Sequence, residues 1–175
     1  MENVCLIVDM DGFHLGKTFY CRELGYCVMD TGECDSVRFR LDHGRVSGKE
    51  SKTVNYCSRF VHGLTFRTRP GEPALKLDRL GGFVNNLYRT HASERRNLMA
   101  YKGGNVEKDL LDELDIPCIN LEIFGCPKFD DLDVPPEIED CGYHSEFRND
   151  HGRVHCSKVE VYAFRNWMMK NMPSR

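Results

Sequence analysis

No stretch of this chain approaches the roughly 18 consecutive apolar residues that a membrane-spanning helix needs. The apolar run nearest the N-terminus, Val4 to Val8, is five residues long and too short for the hydrophobic region of a secretory signal. These absences lead to the expectation of a soluble intracellular protein, cytoplasmic or nuclear, without a membrane partner. A net charge of −3 provides no global basic footprint for nucleic acid. Any such partner must be held by local basic patches, with bound cations offsetting phosphate charge. Internal repeats, low-complexity tracts and composition shifts are missing too, which leaves one domain over residues 1–175. The nine cysteines lack the dense spacing of a small secreted scaffold, and their odd number favours reduced thiols or metal ligands over a disulfide framework.

What is present is enough apolar matter for an ordinary core, 41% hydrophobic and 10% aromatic residues. The run Val4–Val8 fits a central strand buried on both faces, broken by Gly12 and Gly16. Residues 19–29 form a second strand, and Asp30-Thr31-Gly32-Glu33 is a hairpin turn into a third at 36–41. Helical spacing follows at Val54, Cys57, Phe60, Val61 and Leu64, predicting a helix over 53–64. A second helix is expected over 75–88 despite Gly81-Gly82. Next come a strand at 97–101, a helix capped by Asn105 and ending before Pro117, and a strand at 119–124. Residues from about 126 to 156 show little periodicity, so something other than a core should order them. A last helix spans 157–169, with Pro173 beyond its end. This order predicts an α/β fold with a mixed sheet, three antiparallel strands and then parallel ones, flanked by helices.

Four carboxylates and a histidine from distant segments form the inventory of a two-metal nuclease site: Asp9 and Asp11 after the first apolar run, Glu107 in a helix's first turn, and His155 with Glu160. Clustered carboxylates favour hard divalent cations such as Mg²⁺ or Mn²⁺. Histidine suits proton removal from water, its ordinary pKa being near 6.5. The plainer reading is that Asp9 and Asp11 end a strand, Glu107 favours a helix N-terminus and Glu160 is a solvated helix residue.

The segments Asp9-Met10-Asp11-Gly12, Ala100 to Glu107 with Leu110-Leu111, and His155 to Glu160 resemble, in order, the three motifs of the DEDDh family of 3′-to-5′ exonucleases. That resemblance implies an RNase H-like fold. It also implies a site in which Asp9, Asp11, Glu107 and Glu160 hold two Mg²⁺ or Mn²⁺ ions and His155 is the general base, acting on single strands or ends of DNA or RNA. The chain departs from the pattern in having Asp11 where the family has Glu, and Glu107 and Glu160 where it has Asp. Tyr101 and Lys102 stand where the second motif has His and Asn, and either is placed to touch phosphate.

A second constellation, Cys141-x2-His144 with His151 and His155-Cys156, has the spacing of a zinc site. It also resembles the Maelstrom domain, a divergent RNase H-like relative with a Glu-Cys-His metal site. By that resemblance Glu122 joins Cys141, His144 and Cys156 around a structural Zn²⁺, with Cys118 and Cys126 as competing fourth ligands. His155 is not expected to serve both sites. Cys5, Cys21, Cys27, Cys34 and Cys57 are expected in the core. Arg38, Arg40, Arg45, Lys49, Lys52, Arg67 and Arg69 give a basic middle region able to track a nucleic-acid backbone, although such a stretch is more often merely solvated. Three functions stay open: an exonuclease, an endonuclease of the same fold, and a catalytically inactive, zinc-stabilised module that binds RNA or protein.

Overall fold

The structure is a computed structural model and describes residues 2–42, 44–147 and 155–172; His151 and Pro173 lie outside the described residues. The first apolar run does not stop at Val8. It continues as a twelve-residue strand, β1 (Val4–Leu15), paired antiparallel with β2 (Thr18–Val28), which pairs in turn with β3 (Cys34–Arg40). The sheet is completed by β4 (Leu75–Lys76) beside β3, and by β5 (Leu98–Tyr101) and β6 (Cys118–Asn120), both parallel, on the far side of β1. With the order β4-β3-β2-β1-β5-β6, β1 is central, so its apolar residues are buried on both faces.

Side-chain alternation along β1 sorts two cores. Leu6, Val8 and Met10 face α2 (Leu80–His91) and α3 (Asn105–Glu113), where Val84 and Leu111 meet them, and a register shift between Val4 and Leu6 brings Cys5 to the same side. Val4 and Ile7 face α5 (Ser157–Asn171), against Val161, Phe164 and Met168. Among the described residues no helix is long and apolar enough to cross a membrane.

Several expectations are corrected. Gly12 does not end the strand: the register shifts between Asp11 and Gly12, and a Cβ on Gly12 would lie 2.1 Å from the Tyr20 carbonyl oxygen, so this close approach requires glycine. The helix foreseen at 53–64 starts earlier, as α1 (Gly48–Tyr56), because Ser47 and Glu50 form a reciprocal cap. It then widens into one π-helical turn, Cys57–Val61, and ends at His62. Leu75 and Lys76 leave the helical pattern to pair with Phe39 and Arg40, so α2 begins only at Leu80. Gly104, not Asn105, caps α3. β6 ends at Asn120, whose side chain accepts from the Glu122 amide and turns the chain into a 3-10 turn, Leu121–Phe124. Cys27 and Cys34 sit opposite one another across β2 and β3 and are joined by a disulfide, while the other seven cysteines are free. The irregular segment does have a core: Leu64, Phe129, Cys141, Tyr143 and Cys156 pack on Val159 and Ala163 of α5, around the short helix α4 (Gly142–Glu146).

Gly25 of β2 is where α5 docks, since a Cβ there would lie 2.3 Å from the Ser157 carbonyl carbon. Backbone cannot yield as a side-chain tip can. Gly25→Ala is therefore expected to destabilise the protein by about 1–3 kcal/mol, read as a lower urea midpoint at unchanged slope. An unchanged midpoint would show that α5 is not held this closely.

Candidate active site and an adjoining candidate metal site

The pleat of β1 points Asp9 and Asp11 to the face that α5 covers, and the start of α5 brings Glu160 to them. Glu107 reaches the same place from the first turn of α3, accepting a hydrogen bond from the Met10 amide at 3.1 Å. Ser157 Oγ donates to Asp11 Oδ2 at 3.0 Å. His155 places Nδ1 2.8 Å from Glu160 Oε1, and its own amide donates to the Val61 carbonyl at 2.8 Å. All five residues foreseen for the acidic site thus come together, although they are up to 151 positions apart.

The electrostatics follow from that crowding. The Asp9 carboxyl is held well above the ordinary range, first by burial and then by the charges of Glu160, Asp11 and Glu107. Burial and Glu160 push Asp11 up to about 7, against the Ser157 hydrogen bond and His155. Burial also pushes Glu107 up to about 7, opposed by its own amide and that of Met10. His155 is raised by its close pairing with Glu160, which overcomes its burial. Buried carboxylates that repel one another are a donor set suited to divalent cations, whose charge would relieve the repulsion.

Tyr101 does not join this site. Its side chain is buried in the core beneath α2 and α3, because strand alternation turns it away from the face carrying Asp9; the expected phosphate contact is corrected. Lys102 follows at the end of β5 and is half-buried. The turn into α3 is clamped by Asn120, whose side chain accepts from the Gly103 amide at 3.3 Å and donates to the Gly103 carbonyl at 3.0 Å. Nothing in the sequence singles out Asn120.

The second constellation closes with a different carboxylate. Glu122 is exposed on its 3-10 turn, and the fourth member is Glu23: ligating atoms of Glu23, Cys141, His144 and Cys156 all lie within 4.8 Å of one another. Cys118 and Cys126 are not part of this group. Glu23 sits directly opposite Asp11 in the β1–β2 register, so the two carboxylates share a face and the two clusters adjoin. Register between strands, which decides this, is not written in any local spacing. His155 and Cys156, adjacent in sequence, divide between the clusters.

The donors are prepared for a cation. Glu23 Oε1 accepts from Ser36 Oγ at 2.7 Å, whereas buried Oε2 has no hydrogen-bond partner and lies 3.5 Å from His144 Nδ1. His144 Nδ1 is 3.0 Å from Cys141 Sγ, and its Nε2 donates to the His62 carbonyl at 2.6 Å, fixing the ring with Nδ1 inward. The hydrogen bond from Cys156 and the contact with His144 pull the Cys141 thiol down to about 2 against its burial. Burial pushes Glu23 up to about 8. Two thiols, an imidazole and a carboxylate with one unpartnered oxygen fit a tetrahedral zinc-type ion.

His62 ties the clusters together. Its Nδ1 accepts from the Leu64 amide at 3.2 Å, which leaves the proton on Nε2 to donate to the Gly12 carbonyl at 3.0 Å. Burial pushes its pKa down to about 4, so the ring is neutral near pH 7. One residue therefore anchors the bulge after Asp11 and, through its carbonyl, the ring of His144. The basic middle region is partly committed as well: Arg69 lies 4.1 Å over the Phe147 ring, and Arg38 contacts Tyr143, Cys141 and Glu72.

Among solved structures, the chain is similar to the exonuclease domain of Mopeia virus, in a form described as fully depleted of manganese. The match covers 98% of this chain and 79% of that one, with a TM-score of 0.53 and 16% sequence identity. That likeness, with the mixed sheet described above, makes the fold RNase H-like. No family model matches the chain, and no curated protein does.

Proposed function

We propose that the chain is a metal-dependent 3′-to-5′ exonuclease of DNA or RNA. The observation that carries this reading is the convergence of Asp9, Asp11, Glu107 and Glu160 with His155 at one end of β1, on the fold shared with the Mopeia virus exonuclease domain. Asp9, Asp11, Glu107 and Glu160 would hold two Mg²⁺ or Mn²⁺ ions. When bound, such ions acidify a water and offset the charge that builds on the scissile phosphate. His155 stands at the exposed edge of the set and accepts the proton of the attacking water at Nε2, while Glu160 at Nδ1 fixes the ring and favours the charged form. Ser157 orients Asp11, and the Met10 amide orients Glu107. Lys102, just after β5, would meet a phosphate. Glu23, Cys141, His144 and Cys156 would hold a structural Zn²⁺ that keeps α4 and the start of α5 against the sheet.

The test is hydrolysis of 3′- and 5′-labelled single-stranded DNA and RNA with Mg²⁺, Mn²⁺ or no added metal. Laddering from the 3′ end that needs metal is expected. Cutting of a circular strand would instead favour an endonuclease. One observation favours the reading as an inactive binding module: among the described residues, only the Glu23 group brings its ligating atoms within 4.8 Å of one another. Folded protein that binds oligonucleotide but cuts nothing with either metal would establish that alternative.

A pH dependence follows from the acids. Asp11 and Glu107, at about 7 in the metal-free fold, titrate near 4 once unfolded. Between those values the folded state carries protons that the unfolded state has lost, so stability is full below about pH 4 and falls as pH rises to about 7. Cations need the deprotonated form. The rise in melting temperature on adding Mn²⁺ is therefore expected to be larger at pH 8 than at pH 5, and the opposite order would rule out a cation held by these groups.

A further inference from the structure

The outer face of α1 and its π-helical turn carries an exposed aromatic pair among cationic residues. Tyr56 and Phe60 are 60% and 55% exposed, one turn apart, with ring centroids 5.5 Å from one another and planes at 44°. Exposed Lys49, Lys52 and Arg59 lie on the same segment, and Arg45 just before it. From residue 44 to 71 the chain holds six Lys and Arg against a single acid, Glu50, whose carboxylate is turned back onto the Ser47 amide at 3.1 Å. In a chain of net charge −3, this is a concentrated positive field around two exposed rings.

Its place matters as much as its composition. The inner side of the same segment, through Val54 and Cys57, packs on Phe13, two residues beyond Asp11. Its end supplies Val61, whose carbonyl holds the His155 amide, and His62, which holds Gly12. The aromatic pair thus stands on the element that forms one wall of the acidic site. From Lys49 to Phe60 the segment is about 16 Å long at ~1.5 Å per residue, the length of about five stacked nucleotides at ~3.4 Å each.

We propose that Tyr56 and Phe60 form a stacking platform for unpaired bases of a single nucleic-acid strand, with Lys49, Lys52 and Arg59 tracking its phosphates. The proposal deepens the nuclease reading and takes the ligand class from it. Every base offers a π-face, so the platform is indifferent to sequence. In a duplex the faces are already stacked and the platform has nothing to grip.

The experiment measures fluorescence anisotropy of labelled 12-mers of oligodeoxythymidine and oligouridine and of a blunt duplex, without added Mg²⁺ or Mn²⁺. It uses the wild-type chain, Tyr56→Ala/Phe60→Ala, Tyr56→Phe/Phe60→Tyr, and Ile123→Ala as an exposed apolar control elsewhere. The double alanine variant is expected to bind single strands roughly 30-fold or more weakly, the aromatic swap to restore affinity, and Ile123→Ala to leave it unchanged. Lys52→Ala is expected to reduce the slope of log affinity against log salt by about 0.7. A double alanine variant with unaltered melting temperature and unaltered affinity would overturn the platform. So would equal weakening for duplex. Hydrolysis with Mn²⁺, run in parallel, separates the two ideas: aromatic-dependent binding without any cutting sinks the nuclease reading alone, and cutting without aromatic-dependent binding sinks the platform alone.

Discussion

Asp9→Asn is expected to lower metal-dependent hydrolysis by about 10³-fold or more while leaving the metal-free protein at least as stable as the parent. Both halves come from one arrangement. Asp9 is nearly fully buried between β1 and α5, and Glu160, Asp11 and Glu107 all act to raise its pKa. Without a cation, charge there is a cost: the fold carries desolvated carboxylates that repel one another. Asparagine keeps the shape and removes one of the charges, so the melting temperature without added cation should hold or rise. With cations, that charge is what holds them. Losing a single well-placed electrostatic contact already costs about 10²–10³ in rate, and here a ligand central to the set is lost. Glu107→Gln should behave alike, and because the residues act as a unit the double variant should be little worse than either single one. Asp130→Asn is the contrast, since Asp130 is exposed and 3.7 Å from His155 Nε2; its effect should be small. Asp9→Asn with unchanged turnover would remove the acidic cluster from the mechanism.

The acidic half of the site is legible in the sequence because each residue is announced by its own element: an apolar run before Asp9, a helix start before Glu107, a histidine one turn before Glu160. Where the signal is a relation between distant backbones, reading fails. Glu23 is an unremarked residue of β2 until the β1–β2 register sets it opposite Asp11. Glu122, implied by the resemblance to the Maelstrom domain, is carried outward when β6 gives way to a 3-10 turn at Asn120. Tyr101 adjoins the motif in sequence yet points into the opposite core. His62 offers only a lone histidine at a helix end, and its bonds to Gly12, Leu64 and His144 appear only when a π-helical turn delivers it between Gly12 and His144. Local periodicity thus finds side chains borne on one element's face, whereas register and loop closure decide which of them meet.

Cys141→Ser, or removal of zinc by a chelator, is expected to cost both stability and catalysis although Cys141 touches no residue of the acidic cluster. The Glu23 group joins β2, α4 and the residue that caps α5. Without an ion, a thiol, an imidazole and a carboxylate remain buried, Glu23 Oε2 with no hydrogen-bond partner. Metal binding of this kind is folding free energy. If only about 4 kcal/mol is lost, the melting temperature should fall by roughly 8–16 °C, at ~2–4 °C per kcal/mol for a chain of this size. The catalytic loss comes from neighbourhood. Cys156 precedes Ser157, which orients Asp11, and follows His155; His144 is bound to His62, which holds the bulge after Asp11. Releasing the cluster frees these supports together, and a displacement of ~1 Å at a reacting group can cost about 10²-fold. Glu122→Gln should change neither property. Zinc content measured by atomic emission, with melting curves before and after chelation, decides the matter. Stoichiometric zinc that disappears in Cys141→Ser and a chelator-sensitive melting point support the staple. Protein that purifies without zinc and melts at the same temperature in chelator would make these four residues an ordinary buried polar network, and the order of the C-terminal third would then rest on its apolar packing, such as that of Phe129, Tyr143 and Val159.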